Sequence, residues 1–306
     1  MLAIVCPGQG SQTPGFLTPW LEQPGVADHL AQLAELSGRD LTHFGTAADE
    51  ETIKDTAVAQ PLIVAAGLVT ARALLSDGVP DGVVVAGHSV GEITASAIAG
   101  ALSERDAMVF VRERANAMAE AAAATPTGMA AVLGGDPEEV RDAIEAAGLT
   151  PANANGGGQT VAAGTLEEIE AFAAAPPAKA RVVPLKVAGA FHTRHMAPAV
   201  SVLEQLAPQL SPADPRLSLL SNYDGGVVVD GRANLSSLVA QVSRPVRWDL
   251  CMERFAELGV TGLLELAPAG TLVGLAKRGL KGVATLALKS PEDLDSARAF
   301  VAEHTA

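Results

Sequence analysis

The stretch Val83-Val84-Val85-Ala86-Gly87-His88-Ser89-Val90-Gly91-Glu92 predicts a buried strand, a sharp turn with a serine at its tip, and a helix. This order is typical of a nucleophile elbow, in which a serine hydroxyl projects from the end of a strand. Gly87 and Gly91 leave room for a turn that side chains would block. The helix that follows would point backbone N–H groups at an oxyanion formed beside Ser89.

The same turn also fits a simpler interpretation, in which Ser89 only caps the first turn of a helix. The apolar residues Ile93, Ala95, Ala97 and Ile98 recur at helical spacing after the turn and supply the helix that an elbow requires. The context therefore favours a nucleophilic serine, and it predicts an enzyme of acyl transfer or hydrolysis with a covalent acyl group on Ser89.

Composition and charge restrict the classes of protein to which the chain can belong. It has 306 residues, and 35 acidic against 21 basic side chains give a net charge of −14. Such a balance argues against general nucleic-acid binding, which requires Lys and Arg to neutralise phosphates. Aromatic residues make up only 3% of the chain, so Ala, Val and Leu must build the core.

The two cysteines, Cys6 and Cys251, are far apart, and no Cys/His cluster predicts a metal site. Two buried thiols in a reducing cytoplasm are the simpler interpretation, and a disulfide stays open. The chain enters a strand at residue 2 with no signal-peptide pattern, and the apolar run 94–102 is too short to span a bilayer. We therefore expect a cytoplasmic protein without a membrane segment.

The order of predicted elements gives the fold class, which is α/β. Apolar strands at 2–6 and 83–86 alternate with helical patterns at 26–37, 59–76 and 104–123, which predicts a parallel sheet covered by helices. After residue 188 the same kind of alternation returns, with predicted helices at 197–210, 235–242 and 248–258, strands at 217–221 and 262–265, and a final helix and strand within 272–286.

A different order of elements occupies residues 126–188. Strands at 129–133, 151–155, 159–163 and 181–187 and helices at 137–147 and 166–174 follow the order β-α-β-β-α-β, which is the ferredoxin-like split pattern. We therefore predict a large catalytic subdomain formed by residues 1–125 and 189–306, with a small ferredoxin-like subdomain of residues 126–188 inserted into it.

Residues outside the elbow could assist Ser89, although their positions alone leave this open. His192 lies in the small-residue loop 188–193, which can deliver an imidazole to a site or serve no purpose there. Gln9 stands between two glycines after the first strand, where the turn can approach a ligand closely or have no function. Either Arg112 or Arg114 could turn inward to bind a carboxylate, and Asn153 and Asn155 alternate on a strand so that both can face one side.

Taken together, the motifs resemble those of the malonyl-CoA:acyl-carrier-protein transacylase family. The resemblance runs nearly from end to end and depends on the order and spacing of several short motifs, which are Gly8-Gln9-Gly10-Ser11-Gln12, Gln60-Pro61, Gly87-His88-Ser89-Val90-Gly91-Glu92, Arg114, Gly189-Ala190-Phe191-His192, Ser221-Asn222, Pro245-Val246-Arg247-Trp248 and Glu265-Leu266-Ala267-Pro268. Acyltransferase domains of fatty-acid and polyketide synthases share the pattern, and the chain resembles the free-standing enzyme better than a synthase fragment.

The resemblance implies an α/β-hydrolase-like large subdomain and a ping-pong reaction without a cofactor. Ser89 would take the malonyl group from malonyl-CoA and pass it to the phosphopantetheine thiol of holo acyl carrier protein. His192 would be the base of a Ser-His dyad, oriented by a backbone carbonyl instead of an aspartate. The backbone N–H groups of Gln9 and Val90 would form the oxyanion hole, and Arg114 would hold the malonyl carboxylate.

The resemblance also implies substrate contacts from Gln60, Asn155 and Phe191. A phenylalanine at position 191 goes with malonyl in similar synthase domains, because a bulky ring would crowd a methyl branch at C2. Arg247 stands where family members often have glutamine, and we assign its side chain no function. The carrier protein of this family is acidic, so a local basic patch should guide it to this acidic chain. The candidate patches are Lys277, Arg278 and Lys281, or Arg244 with Arg247, or Lys179 with Arg181. We expect a monomer.

Three alternatives stay open at this point. A serine esterase or thioesterase would also use an elbow and His192, but it would not need Arg114 or the Gln9 loop. A non-enzymatic relative that only holds an acyl ligand or a carrier protein would not need the full set of site residues. The same enzyme could also serve polyketide synthesis, because both pathways use the same chemistry and a similar carrier.

Overall fold

The computed structural model describes residues 1–187 and 189–305, which form two β-sheets with helices packed against them. In chain order the strands are β1 (Leu2–Cys6), β2 (Val83–Gly87), β3 (Thr127–Gly134), β4 (Thr150–Gly156), β5 (Gln159–Thr165), β6 (Ala180–Pro184), β7 (Ser218–Leu220), β8 (Val227–Val228), β9 (Val246–Arg247), β10 (Gly262–Glu265) and β11 (Ala284–Ala287). The helices are α1 (Val26–Ser37), α2 (Leu41–Thr46), α3 (Glu50–Lys54), α4 (Thr56–Leu74), α5 (Gly91–Ile98), α6 (Glu104–Ala124), α7 (Pro137–Ala146), α8 (Leu166–Ala174), α9 (Ala197–Leu206), α10 (Gly231–Gln241), α11 (Trp248–Glu257), α12 (Thr271–Gly279) and α13 (Leu294–Thr305).

The larger sheet confirms the predicted parallel α/β architecture. Its strand order is β11-β10-β1-β2-β7-β8, and every pair is parallel except β7 with β8. All residues of β1 and β2 are buried, as expected for central strands with helices on both faces. Because β1 and β2 are parallel neighbours, the loops that follow them meet at the same edge of the sheet.

Helix α4 lies at the centre of the helical layer on one face of this sheet. It packs against α6, α5 and α1, and Asp55 caps it by accepting a hydrogen bond from the N–H of Ala57. By length and composition α4 is apolar enough to cross a membrane. The expectation of no membrane segment rested on the run 94–102, which is shorter than α4. Most of that apolar window is buried inside the protein, as in the core helix of a folded domain.

The smaller sheet has the ferredoxin-like topology that the sequence predicts. Its strand order is β6-β3-β5-β4, so β3 and β5, the first and third strands of residues 126–188, lie in the middle, and all neighbouring strands are antiparallel. Helices α7 and α8 pack against one face of this sheet and bury Val140, Ile144, Ile169 and Phe172. Strand β9, from outside residues 126–188, extends this sheet in parallel beside β4. The proposed division at residue 188 and the end at residue 306 fall on positions outside the described residues.

Several element boundaries differ from the sequence predictions for local reasons. Helix α10 begins four residues early because Asp230 accepts a hydrogen bond from the N–H of Ala233 and starts the helix there. Strand β6 ends at Pro184 instead of residue 187. The short helices α2 and α3, the two-residue strands β8 and β9 and the C-terminal helix α13 were not predicted.

Candidate active site

Ser89 lies at the tip of the turn between β2 and α5, with a positive φ of 53° that non-glycine residues rarely adopt. The flanking glycines are required for close approach and not for an unusual φ. A Cβ on Gly87 would overlap the backbone of Gly91, and a Cβ on Gly91 would overlap the carbonyl oxygen of Cys6. The strained residue of the elbow is therefore the serine itself.

Asn222, just after β7, holds this turn from below. Its Oδ1 accepts a hydrogen bond from the backbone N–H of Ser89 at 2.8 Å, and its Nδ2 donates to the carbonyl of Gly87 at 2.7 Å. One buried amide therefore satisfies backbone groups on both sides of the turn.

His192 lies on a second strained turn, with a φ of 63°. Its backbone N–H donates to the carbonyl of Val242 at 3.0 Å, and its Nδ1 lies 2.8 Å from the carbonyl oxygen of Gln241. Because a carbonyl can only accept, Nδ1 carries the proton, and the lone pair of Nε2 faces the Ser89 hydroxyl at 2.7 Å. The geometry is that of a base oriented by a backbone carbonyl.

The surroundings of His192 keep its imidazole neutral. Burial, together with the positive charge of Arg114, lowers the pKa of His192 to about 3. A neutral imidazole can accept the serine proton across the whole neutral pH range.

Arg114 is the arginine of α6 that turns inward, and it is 0% exposed. Its Nη1 donates to Gln60 Oε1 at 2.6 Å, and its Nη2 donates to Gln241 Oε1 at 3.0 Å. The same Nη2 lies 3.4 Å from Ser89 Oγ, which places the cation beside the serine. Burial lowers the pKa of Arg114 to about 9, so the group is still cationic near neutrality.

The side chain of Arg112 points elsewhere. Its Nη1 donates to the carbonyl of Leu36, and its Nε donates to Glu113. Of the two arginines that the sequence left open, the structure therefore brings only Arg114 to Ser89.

Gln9 and Val90 meet where the loops after β1 and β2 run side by side. Gly8 packs so closely that a Cβ would lie 2.8 Å from the carbonyl oxygen of His88. Within residues 1–187 and 189–305, the backbone N–H groups of Gln9 and Val90 donate to no acceptor. Two free N–H groups beside a serine are the arrangement that an oxyanion hole requires. The Gln9 side chain donates to Thr56 Oγ1 at 3.2 Å.

A cavity of about 660 Å³ opens between the two sheets, and Ser89 and His192 lie in its wall. Phe191, Met118 and Met129 supply apolar lining, and the polar lining includes the other predicted substrate contacts, Gln60 and Asn155, together with Asn153. Both asparagines of β4 thus face one side, as their spacing predicts. Asn155 Oδ1 accepts from His88 Nε2 at 2.8 Å and so ties the small sheet to the elbow.

Helix α12 contributes to the wall of this cavity and carries cationic side chains further along its length. Thr271, Leu272 and Leu275 line the cavity, while Lys277 and Arg278 are exposed on the same helix and Lys281 is exposed just beyond it. Arg181 lies apart from these three residues. It belongs to β6, an edge strand of the small sheet, whereas α12 packs against β4. Three strand spacings, about 14 Å, separate β6 from β4. Lys277, Arg278 and Lys281 are therefore close together in the chain, and Arg181 lies at a different place on the surface.

Both cysteines are buried free thiols. Burial raises the pKa of each thiol, which keeps both protonated. The described residues contain no group of three or more His, Cys, Asp and Glu side chains arranged to hold a metal ion.

Sequence reasoning missed the residue that connects most of the site, Gln241. Its carbonyl accepts from His192, its Oε1 accepts from Arg114, and its Nε2 donates to Glu92 Oε2 and to the carbonyl of Ser89. No motif marks it, because it is the last residue of α10 and lies far along the chain from the residues that it contacts.

Comparisons with known proteins agree with this geometry. Residues 3–301 match the acyl transferase domain family. The malonyl CoA-acyl carrier protein transacylase of Mycobacterium tuberculosis is 52% identical over 96% of this chain and 98% of the relative. A crystal structure of the M. tuberculosis enzyme superposes with a TM-score of 0.92 at 51% identity, covering 97% of this chain and 99% of that one.

A more distant structure, of a malonyl-transacylase in complex with a type II PKS acyl-carrier protein, superposes with a TM-score of 0.90 at 31% identity, again covering 97% of this chain and 99% of that one. Domain match, identity and fold agree over nearly the whole length. This chain belongs to the malonyl-CoA:acyl-carrier-protein transacylase family of acyl transferases.

Proposed function

We propose that this protein transfers a malonyl group from malonyl-CoA to the phosphopantetheine thiol of holo acyl carrier protein through an ester on Ser89. One observation carries the proposal. Ser89 Oγ lies 2.7 Å from His192 Nε2 and 3.4 Å from Arg114 Nη2, so a nucleophile, its base and a buried cation converge on one point. This convergence matches a substrate with a reactive thioester and a free carboxylate a few bonds away.

The first half-reaction forms the ester. Ser89 Oγ attacks the thioester carbonyl while His192 Nε2 takes the hydroxyl proton. The oxyanion accepts hydrogen bonds from the N–H groups of Gln9 and Val90. The C–S bond then breaks, and His192 passes its proton to the departing CoA thiolate.

The second half-reaction reverses these steps with a different thiol. The phosphopantetheine thiol gives its proton to His192 and attacks the ester carbonyl. The bond to Ser89 Oγ breaks, the proton returns to that oxygen, and malonyl leaves on the carrier protein. These steps require no cofactor.

Arg114 gives the reaction its preference for a dicarboxylic acyl group. A guanidinium held by Gln60 and Gln241 presents two N–H donors to one carboxylate, so binding requires little reordering. An acyl group fixed at its carboxylate keeps the ester in place for the incoming thiol and so disfavours attack by water. This explains a transferase better than a hydrolase.

The position of Phe191 favours malonyl over methylmalonyl as the transferred acyl group. The ring is buried in the cavity wall immediately before the base, where it would crowd a methyl branch at C2. We infer a malonyl preference, and rapid methylmalonyl transfer would contradict it.

We infer that the carrier protein docks on the cations of α12 and the loop that follows, with Lys277, Arg278 and Lys281 facing its acidic surface. Docking on this helix would bring the phosphopantetheine arm close to the cavity, because Thr271, Leu272 and Leu275 of α12 line it. The protein would act as a cytoplasmic monomer, supplying fatty-acid synthesis, polyketide synthesis or both.

Initial-rate kinetics with malonyl-CoA and holo acyl carrier protein test the proposal. We expect parallel double-reciprocal plots, which are characteristic of a ping-pong reaction, and malonyl-carrier formation much faster than malonate release. Malonate release that outpaces transfer would instead identify a thioesterase. Absence of both products would identify a binding protein.

A further inference from the structure

Glu92 is a buried carboxylate that the steps above do not use. It lies in the first turn of α5, just past Ser89, and is 1% exposed. Its Oε1 accepts a hydrogen bond from the backbone N–H of Asn222 at 3.2 Å, and its Oε2 accepts from Gln241 Nε2. One carboxylate therefore contacts both residues that hold the site, because Asn222 fixes the elbow and Gln241 contacts Arg114.

The hydrogen bonds of Gln241 have a fixed direction. Its Oε1 accepts from Arg114 Nη2 at 3.0 Å, and its Nε2 donates to Glu92. Arg114 can only donate and an ionised carboxylate can only accept. The carboxylate on one side thus requires the amide nitrogen to face it, which leaves the amide oxygen for the guanidinium on the other side.

We propose that Glu92 is a positioning residue for malonyl transfer: its carboxylate orients the Gln241 amide, and Gln241 thereby holds Arg114 in place for the substrate carboxylate. This inference rests on the proposed function, in which Arg114 binds malonyl. It predicts that Glu92 affects acyl groups with a free carboxylate more than those without one.

Protonation of Glu92 would weaken this orientation. A protonated oxygen becomes a donor that faces the Gln241 N–H donors, so this contact would favour a turned amide with its nitrogen toward Arg114. The longer contact of Gln241 Nε2 to the Ser89 carbonyl, at 3.3 Å, would then oppose the turn. Burial raises the pKa of Glu92 to about 7, opposed by its hydrogen bonds and by the charge of Arg114. Cys251, on α11, also faces Glu92, but its own pKa is raised and it stays neutral in this range.

His192 is the remaining titratable group of this network, and its pKa of about 3 keeps it neutral near pH 7. Glu92 is thus the group of the network whose charge changes near neutrality. As the pH falls through about 7, the ratio of malonyl to acetyl loading on Ser89 should fall with the ionised fraction of Glu92.

The test compares initial rates of malonyl and acetyl loading on Ser89, measured by intact-protein mass, in wild type, Glu92→Gln and Ser96→Ala. Ser96 lies one turn further along α5, is buried, and donates to the carbonyl of Glu92 at 2.7 Å, so its loss perturbs the same helix without touching Gln241. Glu92→Gln should lower the malonyl-to-acetyl ratio about tenfold, the worth of one hydrogen bond to a charged group, and should flatten its pH dependence. Ser96→Ala should leave the ratio unchanged.

An unchanged ratio in Glu92→Gln would overturn the inference. If that variant does not fold, the wild-type ratio decides, and a ratio that stays flat from about pH 6 to 8 would also overturn it. Arg114→Ala, measured alongside, separates the two proposals. A ratio unchanged in Arg114→Ala would mean that Arg114 does not bind malonyl and that the proposed function fails at that point.

Discussion

The elbow (residues 87–91) and the base loop (residues 189–193) place their reactive side chains by different means. Each holds a non-glycine residue at positive φ, Ser89 at 53° and His192 at 63°. The elbow joins a strand to a helix directly, and its adjacent glycines permit the turn, which Asn222 then holds by two hydrogen bonds. The base loop follows the small sheet, and backbone carbonyls of residues 241 and 242 fix its histidine. The nucleophile is thus positioned mainly by local sequence, and the base by the tertiary fold.

The largest effect should come from removing the base. His192→Ala leaves the elbow intact but takes away the proton acceptor of Ser89, so malonylation in a single turnover should slow by about 10² to 10⁴. His88→Gln is the matched control, because His88 adjoins Ser89 but donates to Asn155 instead. A loss as large in His88→Gln as in His192→Ala would contradict the assignment of the base.

The next largest effect should come from removing the Arg114 guanidinium, which contacts both Ser89 and Gln241. Arg114→Ala should cost malonyl transfer about 2–4 kcal/mol, because a charged substrate group loses its partner, and acetyl transfer should suffer much less. Arg112→Ala, on the same helix with its side chain turned away, should change neither rate. Equal losses of malonyl and acetyl transfer in Arg114→Ala would contradict the proposed clamp.

A smaller effect should follow when the hydrogen bonds of Asn222 to the elbow are removed. Asn222→Ala leaves the Ser89 N–H and the Gly87 carbonyl without partners, which should lower the free energy of unfolding by about 1–3 kcal/mol. Urea denaturation measures that loss. The rates of malonyl and acetyl loading on Ser89 should fall by the same factor, because both reactions use the same turn. A selective loss of malonyl would mean that Asn222 acts through Arg114 instead.

The smallest effect is expected from pH on acetyl loading, which does not involve the Arg114 clamp. His192, with its pKa lowered to about 3, stays neutral, so acetyl loading should show no acid limb from this residue down to about pH 4. A limb near the ordinary histidine pKa of 6.5 would contradict this.

The same shift has a consequence for stability. The folded pKa lies below the unfolded value, so the unfolded chain gains a proton first as the pH falls through about 6.5. His192 therefore contributes stability above that pH, and this contribution is lost between about pH 6.5 and 3. The free energy of unfolding of the His192→Gln variant should therefore decline less between about pH 6.5 and 3 than that of wild type.

Sequence alone predicted the parts of the molecule that depend on near neighbours. Strand β1 and helices α1 and α8 match their predicted bounds, and the order of the small sheet follows from alternating apolar patterns. The elbow could be predicted because its glycines and strand are adjacent to the serine. The roles of Arg114 and His192 were expected from family resemblance, since neither has a local signature.

Features that depend on distant contacts could not be predicted in this way. His29 has no local sequence signature, yet it is buried on α1 and its Nε2 lies 2.8 Å from Glu104 Oε2 of α6. Gln241 looks like any polar residue at a helix end until the fold brings it to Ser89. Strand β9 has two residues, too few for a periodic pattern, and exists because β4 offers an open edge.

The most direct test of the account is intact-protein mass after brief incubation with malonyl-CoA, for wild type and for Ser89→Ala. Wild type should carry a malonyl adduct that is absent from Ser89→Ala and is discharged by holo acyl carrier protein. An adduct that forms equally on Ser89→Ala, or no adduct on wild type, would contradict the central claim that Ser89 carries the acyl group.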